Sequence, residues 1–201
     1  SCFFYKLHIS LINFKLRHIC VFSIQKLMKS NKNVVLVGMM GSGKTTIGKL
    51  LAKKLNLSFV DIDNEIESKF KMKISEIFKN NGEIFFRNVE EKMTLEHLDK
   101  FDSIISLGGG GFLNEKIRKK SLKKAITIWL SWSHKTLIDR IKKNKKRPLI
   151  MNLNNEQIRN LIINRSSTYS KSKYKIYCER KNKIQIVKEI RKIYETCTTK
   201  N

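Results

Sequence analysis

Short apolar runs alternate along the chain with stretches in which apolar residues recur at helical spacing. Helical spacing follows most of the runs, but between residues 111 and 125 it predicts no element. Strands that alternate with helices favour an α/β fold with a parallel sheet covered on both faces. The runs that predict strands are 34–37, 58–60, 103–107, 125–130 and 174–178.

The segment Gly38–Thr45 reads Gly-Met-Met-Gly-Ser-Gly-Lys-Thr and lies between the first apolar run and the first helical pattern. It matches G-x-x-x-x-G-K-[ST] in the strand, loop and helix context in which the motif has meaning. The glycines allow backbone N–H groups to face a phosphate, the lysine reaches the β- and γ-phosphates, and the threonine hydroxyl can ligate Mg²⁺. The segment therefore predicts nucleotide binding. The residues expected at the nucleotide are Gly41, Ser42, Gly43, Lys44, Thr45 and Thr46.

Two more clusters follow predicted strands, where ligands of parallel sheets bind. Asp61 and Asp63 are two residues apart, so in an extended segment they would project from one face. One carboxylate could serve Mg²⁺ while the other orients an acceptor hydroxyl; alternatively, Asp63 caps a helix that begins near Asn64. The run Gly108–Gly111 predicts either a nest of backbone N–H groups for a hydroxyl or an anion, or a tight turn.

Arginine stands out in a chain whose usual cation is lysine, because its planar fork binds carboxylates and phosphates. Arg87 has Glu90 one helical turn later to hold it. Arg147 precedes the only proline in a lysine-rich loop, and Arg165 lies in a late helical stretch. These residues indicate a kinase of a small acceptor and leave open whether the acceptor is an anion.

Charge and cysteine content exclude few functions. The 201 residues suffice for one domain with a core, and the formal net charge is +25. Since the lysines are scattered and no nucleic-acid-binding motif occurs, we attribute the charge to a solvated surface and expect no specific nucleic-acid partner. The four cysteines lack disulfide or metal spacing, which indicates reduced thiols and a cytoplasmic location. No apolar run is long enough for a membrane span.

The first 27 residues hold no acidic residue and mix bulky apolar with basic side chains. They predict either a transit peptide, which would imply an organelle, or sequence that precedes a natural start at Met28; we favour the second. We therefore divide the chain into a leader, 1–32, that we expect to pack poorly or to lie outside the native protein, and a kinase domain, 33–201.

Together the motifs resemble the shikimate kinase family from about Asn33 to the C-terminus. The resemblance implies a three-layer α/β/α fold with a five-stranded parallel sheet, of the P-loop, nucleoside-monophosphate-kinase type, with a lid at about 142–153. It also implies a monomer that uses MgATP to phosphorylate the 3-hydroxyl of shikimate, in the biosynthesis of chorismate and the aromatic amino acids. The matching segments are Gly38–Gly48, Phe59–Asp63, Ile74–Phe78, Gly82–Glu83, Phe86–Glu91, Leu107–Gly110, Arg147–Leu149 and Arg165 with Tyr169.

The resemblance implies roles at the nucleotide. Lys44 would stabilise charge on the transferring group, and Arg147 would arrive with the lid and neutralise charge. Thr45 would hold Mg²⁺, and Asp61 would support the metal through water. Arg140 lies where the family has an arginine near the adenine.

It implies a second set of roles at shikimate. Asp63 would bind the hydroxyls and help to remove the proton of the attacking oxygen, while Arg87 and Arg165 would clamp the carboxylate. Backbone N–H groups of Gly108, Gly109 and Gly110 would line the same pocket. One departure is Gly111, where the family usually has alanine; another is segment 178–183, which fits the adenine-contacting loop of the family poorly.

Three other readings stay open at this point. Gluconate kinase has a similar phosphate loop and a carboxylate substrate, but the Asp-x-Asp and triple-glycine motifs disfavour it. A regulatory or polyanion-binding protein without catalysis would lack Asp63, Arg87 or Arg165, all of which are present. A module that keeps the nucleotide only for folding would bind ATP without turnover.

Overall fold

The computed structural model describes residues 32–143 and 153–199. Strands and helices alternate through most of these residues, and a short 3-10 turn, Gly111–Leu113, lies in the first half. The strands are β1 (Asn33–Val37), β2 (Ser58–Asp61), β3 (Ser103–Ser106), β4 (Ala125–Ser131) and β5 (Tyr174–Tyr177). The helices are α1 (Lys44–Leu55), α2 (Ile62–Phe70), α3 (Ile74–Asp99), α4 (Glu115–Lys124), α5 (His134–Lys143), α6 (Asn155–Tyr169) and α7 (Lys183–Thr199).

All five strands form one parallel sheet in the order β2-β3-β1-β4-β5. The strand before the phosphate loop is central, since Val35 pairs with Ile105 on one side and Thr127 on the other. Strand order reverses around β1, which makes the carboxyl ends of β1, β3 and β4 the expected ligand crevice. The predicted fold class is confirmed.

Alternate residues of each central strand face different helical layers, which is the period-two pattern of a strand. Val34 and Leu36 pack with α1 and α7, while Val35 and Val37 pack with the other helices. All four side chains are buried, so β1 lies between two apolar layers. Burial on both faces explains why these strands appear in the sequence as unbroken apolar runs.

Helix α4, Glu115–Lys124, is an element that the apolar pattern missed. Its sequence, Glu-Lys-Ile-Arg-Lys-Lys-Ser-Leu-Lys-Lys, buries only Ile117 and Ser121, so too few apolar positions exist to show a period. The side chain of Asn114 accepts a hydrogen bond from the N–H of Ile117 and caps the helix. Gly82 interrupts α3 with non-helical backbone, at a φ of 82° and a ψ of 169°.

The prediction that Asp61 and Asp63 share one face of an extended segment was wrong. Asp61 ends β2, and α2 already begins at Ile62, so Asp63 lies in the first turn of the helix. The alternative capping role was assigned to the wrong residue, because Asp61 accepts the hydrogen bond from the N–H of Asn64 at 3.4 Å. The two carboxylates consequently point to different parts of the site.

Two predictions concern residues that lie mostly outside the described ranges. The leader, 1–32, lies outside the described residues apart from Lys32, and so do residues 144–152 of the predicted lid, with Arg147. Helix α5 extends to Lys143, so the start of the predicted loop is helical. Within 32–143 and 153–199, no helix has the length and apolar character to span a membrane.

Candidate active site

The phosphate loop connects the buried end of β1 to the N-terminus of α1. Gly43 has a φ of 88° and precedes the first helical residue, a left-handed conformation that favours glycine. Lys44 is buried and its Nζ donates to the carbonyls of Gly38 at 2.8 Å and Met39 at 3.1 Å. The loop therefore places backbone N–H groups at a helix N-terminus next to the Lys44 ammonium group. This arrangement is typical of sites that bind phosphate groups.

Thr45 and Asp61 meet beside the loop. The hydroxyl of Thr45 donates a hydrogen bond of 2.6 Å to Oδ2 of Asp61, which is buried. A hydroxyl and a carboxylate are hard oxygen ligands of the kind that Mg²⁺ takes together with phosphate oxygens and water. The pair therefore fits the predicted magnesium site. The described ranges contain no group of three or more His, Cys, Asp or Glu that could hold a metal, and a nucleotide-bound Mg²⁺ does not need one.

A stacked pair of side chains lies on the other flank of the loop. The guanidinium carbon of Arg140 is 3.7 Å from the ring centroid of Trp132, and Nη1 of Arg140 donates to the carbonyl of Gly41 at 3.3 Å. The indole Nε1 of Trp132 donates to the carbonyl of Ser42 at 2.9 Å. Arg140 thus lies at the phosphate loop, and its place near the adenine stays a prediction. Trp132 was not anticipated, because nothing in its spacing links it to the loop.

The glycine run after β3 forms the floor of a second pocket, and charged side chains approach its first and third residues too closely for a methyl group. A Cβ at Gly108 would lie 2.6 Å from oxygens of both Asp63 and Glu90. A Cβ at Gly110 would lie 2.6 Å from Nη1 of Arg87. A methyl group at either position would therefore displace one of these charged side chains.

Arg87 and Glu90 form the ion pair that the helical spacing predicted. Nη1 of Arg87 lies 2.7 Å from Oε2 of Glu90, and Nη2 lies 3.1 Å from Oε1 of Glu83. Burial raises the pKa of Glu90 despite the attraction of Arg87, because only 3% of the Glu90 side chain is exposed. Burial lowers the pKa of Arg87, but its two carboxylate partners outweigh that effect and hold the pKa above its usual value.

Arg165 and Tyr169 approach the same floor from α6. A Cβ at Gly109 would lie 3.4 Å from Nη1 of Arg165, and the hydroxyl of Tyr169 donates to the carbonyl of Gly109. Burial raises the pKa of Tyr169 to about 12, so it stays a hydrogen-bond donor at neutral pH. Tyr169 belongs to the matching motif in the sequence, but no role was predicted for it. Because Tyr169 follows Arg165 by four residues, the two side chains lie on one face of the helix.

Two buried polar atoms of this pocket lack a hydrogen-bond partner among the residues described. They are Oε1 of Glu90 and Nε of Arg165. Unpaired buried polar atoms are costly in a folded protein, so their presence beside the glycine run points to a polar ligand.

The structure thus brings together most of the predicted site residues in two adjoining pockets. Arg147 lies outside the described residues, and Thr46 is exposed in the first turn of α1. The predicted nucleotide site, called the nucleotide pocket below, comprises Gly41, Ser42, Gly43, Lys44, Thr45, Asp61 and Arg140. The predicted acceptor site, called the acceptor pocket below, comprises Asp63, Arg87, Gly108, Gly109, Gly110 and Arg165.

Comparisons with known proteins identify a matching family and similar proteins. The family model described as shikimate kinase matches residues 40–195. A shikimate kinase from Persephonella marina is 40% identical over 159 residues, which cover 79% of this chain and 96% of that protein.

Solved structures separate the family from its fold relatives. The shikimate kinase from Acinetobacter baumannii in complex with shikimate superposes with a TM-score of 0.80 at 29% identity, covering 85% of this chain and 97% of that chain. A gluconokinase from Sinorhizobium meliloti reaches a TM-score of 0.52 at 14% identity, covering 85% of this chain and 98% of that chain. At so low an identity the second similarity shows the fold alone.

Proposed function

The chain belongs to the shikimate kinase family, and from this membership we infer how its residues carry out the reaction. The reaction is the ATP-dependent phosphorylation of the 3-hydroxyl of shikimate, which gives shikimate 3-phosphate and ADP in aromatic amino-acid biosynthesis. A regulatory protein without catalysis is disfavoured because Asp63, Arg87 and Arg165 are all present at the acceptor pocket.

The observation that carries the assignment of residues is the contact between the two pockets. The backbone nitrogen of Met40, in the phosphate loop, is 3.5 Å from the position of a Cβ at Gly109, in the acceptor floor. Nη1 of Arg165 also lies 3.9 Å from Sδ of Met39. An acceptor on the glycine floor would therefore be held beside the terminal phosphate, as direct transfer requires.

We assign the acceptor carboxylate to Arg87 and Arg165. Each guanidinium adjoins the glycine floor, and an anion between them gains charge-assisted hydrogen bonds. Glu90 and Glu83 hold the fork of Arg87, which limits the loss of side-chain entropy when the acceptor binds. Nε of Arg165, which has no partner among the described residues, would gain one.

We assign the reacting hydroxyl to Asp63. Its Oδ1 lies at the Gly108 end of the floor, on the first turn of α2, so the carboxylate is held by a helix rather than a loop. A carboxylate there can accept the hydroxyl proton as the oxygen attacks the phosphorus atom. Backbone N–H groups of Gly108, Gly109 and Gly110 would complete the pocket.

We assign the phosphates to the loop from Gly41 to Thr46. Lys44 would exchange its contacts with backbone carbonyls for the charge of the transferring group. Magnesium, when bound with ATP, draws charge from the β- and γ-phosphate oxygens. Thr45 and Asp61 would hold it, and Arg140 and Arg147 would add positive charge at the nucleotide.

The remaining proposals concern the whole protein. We propose a monomer in the cytoplasm with no specific nucleic-acid partner, in which residues 1–27 are dispensable for the reaction. An organelle location would replace the cytoplasmic one if residues 1–27 act as a transit peptide.

The test is ADP release from MgATP by the full chain with shikimate, with gluconate or with no acceptor. We expect release that depends on shikimate, and equal release from a 28–201 variant. Equal rates with all three mixtures, or ATP binding without any turnover, would contradict the kinase assignment. Loss of activity in the 28–201 variant alone would contradict only the proposal about the leader.

A further inference from the structure

Trp132 contacts two components of the nucleotide pocket at the end of β4. Its Nε1–H binds the carbonyl of Ser42 at 2.9 Å, and its ring lies 3.7 Å from the guanidinium carbon of Arg140. Arg140 itself binds the adjacent carbonyl, that of Gly41, at 3.3 Å. One stacked pair therefore holds two consecutive carbonyls of the phosphate loop.

The direction of a carbonyl sets the direction of the N–H group that follows it. In a trans peptide the two groups are fixed in a plane and point in opposite directions. A bond from Trp132 to the Ser42 carbonyl thus aims the N–H of Gly43 to the opposite side of the loop. Because glycine has wide rotational freedom, the loop sequence itself restrains this peptide weakly.

The backbone that carries Trp132 is held independently of its side chain. The N–H of Ser133 donates to Oε2 of Glu179 at 3.1 Å, and the hydroxyl of Thr136 donates to Oε1 of the same carboxylate at 2.7 Å. Replacing the indole therefore leaves the turn between β4 and α5 anchored. The effect of a substitution at position 132 can be attributed to the lost side chain.

We propose that Trp132 is a positioning residue for the nucleotide, which aims the Gly43 N–H at the phosphates and holds the Arg140 guanidinium flat beside the loop. The proposal rests on the proposed nucleotide-binding role of this loop. Trp132 acts through its neighbours and touches no reacting atom. Its loss should weaken nucleotide binding and leave acceptor binding intact, because the acceptor floor approaches the loop at Met40 whereas Trp132 binds it at Ser42.

Two substitutions separate the two contacts of the indole. Trp132→Phe keeps an aromatic ring under Arg140 but has no N–H, and we expect the Kd of MgADP to rise about fivefold, as for one lost hydrogen bond. Trp132→Leu removes both contacts, and we expect a rise of about twentyfold. The KM of MgATP should follow the Kd, while the KM of shikimate should change less than about twofold.

A matched control distinguishes positioning from general destabilisation. Ile190→Val truncates a fully buried residue of α7 and should lower the Tm without changing the Kd of MgADP. The chain has two tryptophans, Trp129 and Trp132. We expect saturating MgADP to change the fluorescence of the wild type and not that of Trp132→Phe.

The measurements are calorimetric titration of the full-length variants with MgADP, steady-state kinetics and thermal melting. An unchanged Kd in both variants, equal rises in the KM of MgATP and shikimate, or a fluorescence change that persists in Trp132→Phe would overturn the proposal. The titration contains no shikimate. A wild type that binds MgADP without phosphorylating shikimate would therefore contradict the proposed function and leave this test valid.

Discussion

Gly110→Ala tests whether the glycine run and Arg87 act as one acceptor site. The new Cβ would lie 2.6 Å from Nη1 and 2.9 Å from Cζ of Arg87. Gly110 has a φ of −97° and a ψ of −17°, which alanine adopts without strain. The methyl group therefore has one expected effect, the displacement of the guanidinium.

The size of that displacement follows from the contact distance. An ordinary contact begins at 3.4 Å, so the guanidinium must move by about 0.8 Å. Such a shift stretches the 2.7 Å contact with Glu90 to the limit of a hydrogen bond and turns the fork away from the acceptor. Since a hydrogen bond to a charged group contributes about 2 kcal/mol, we expect the KM of shikimate to rise about thirtyfold.

Steady-state kinetics with each substrate varied in turn, together with thermal melting, measures this effect. We expect the KM of MgATP to change less than about twofold, and the Tm to fall little because only the end of a flexible side chain moves. Gly111→Ala is the matched control, because the nearest atom to its Cβ is 3.3 Å away. A KM of shikimate that stays near the wild-type value in Gly110→Ala, or one that rises equally in both variants, would refute the reasoning.

Three further substitutions test the site and its electrostatics. Lys44→Ala should abolish ADP release while circular dichroism shows an intact fold; comparable turnover would contradict the mechanism. Glu90→Gln tests the raised pKa of Glu90. Between pH 4.5, the ordinary pKa of glutamate, and the higher pKa of Glu90 in the folded state, the folded state binds more protons than the unfolded state. The stability of the wild type therefore falls as the pH rises through this range. Urea unfolding over this pH range should show that the free energy of unfolding declines less steeply with pH for Glu90→Gln than for the wild type. The same dependence on pH in both proteins would contradict the inference that burial raises the pKa of Glu90. Tyr169→Phe should raise the KM of shikimate about fivefold through the lost hydrogen bond to Gly109, and an unchanged KM would make that bond purely structural.

Much of the nucleotide pocket could be predicted because its residues are contiguous in the chain. The segment Gly38–Thr45 contains its own glycines, cation and hydroxyl, and the structure places Lys44 and Thr45 in one loop at a helix N-terminus. Their roles at the phosphates and at Mg²⁺ stay predictions. The pairing of Arg87 with Glu90 is similarly local, since residues three apart in a helix are neighbours. In both cases the spacing of residues along the chain was enough to predict that they lie close together.

Local reasoning failed where an element boundary or a weak period decided the outcome. The two-residue spacing places the side chains of Asp61 and Asp63 on one face only if both residues belong to the same strand. The strand ends at Asp61, and a helix begins at Ile62. Helix α4 was missed because lysine occupies half of its positions and only two residues are buried. Neither the exact end of a strand nor a helix with a narrow apolar stripe leaves a clear pattern in a single sequence.

The sequence by itself determined the fold class, the phosphate loop and, through the resemblance, the family. Buried strands and the loop motif are formed by residues that are adjacent in the chain, so their patterns can be recognised in the sequence alone. Only the tertiary structure decided that Asp63 and Glu90 crowd Gly108, that Arg87 crowds Gly110, and that Trp132 holds the carbonyl of Ser42. These contacts join residues tens of positions apart, and the parallel sheet brings them together by placing the ends of separate strands at one edge.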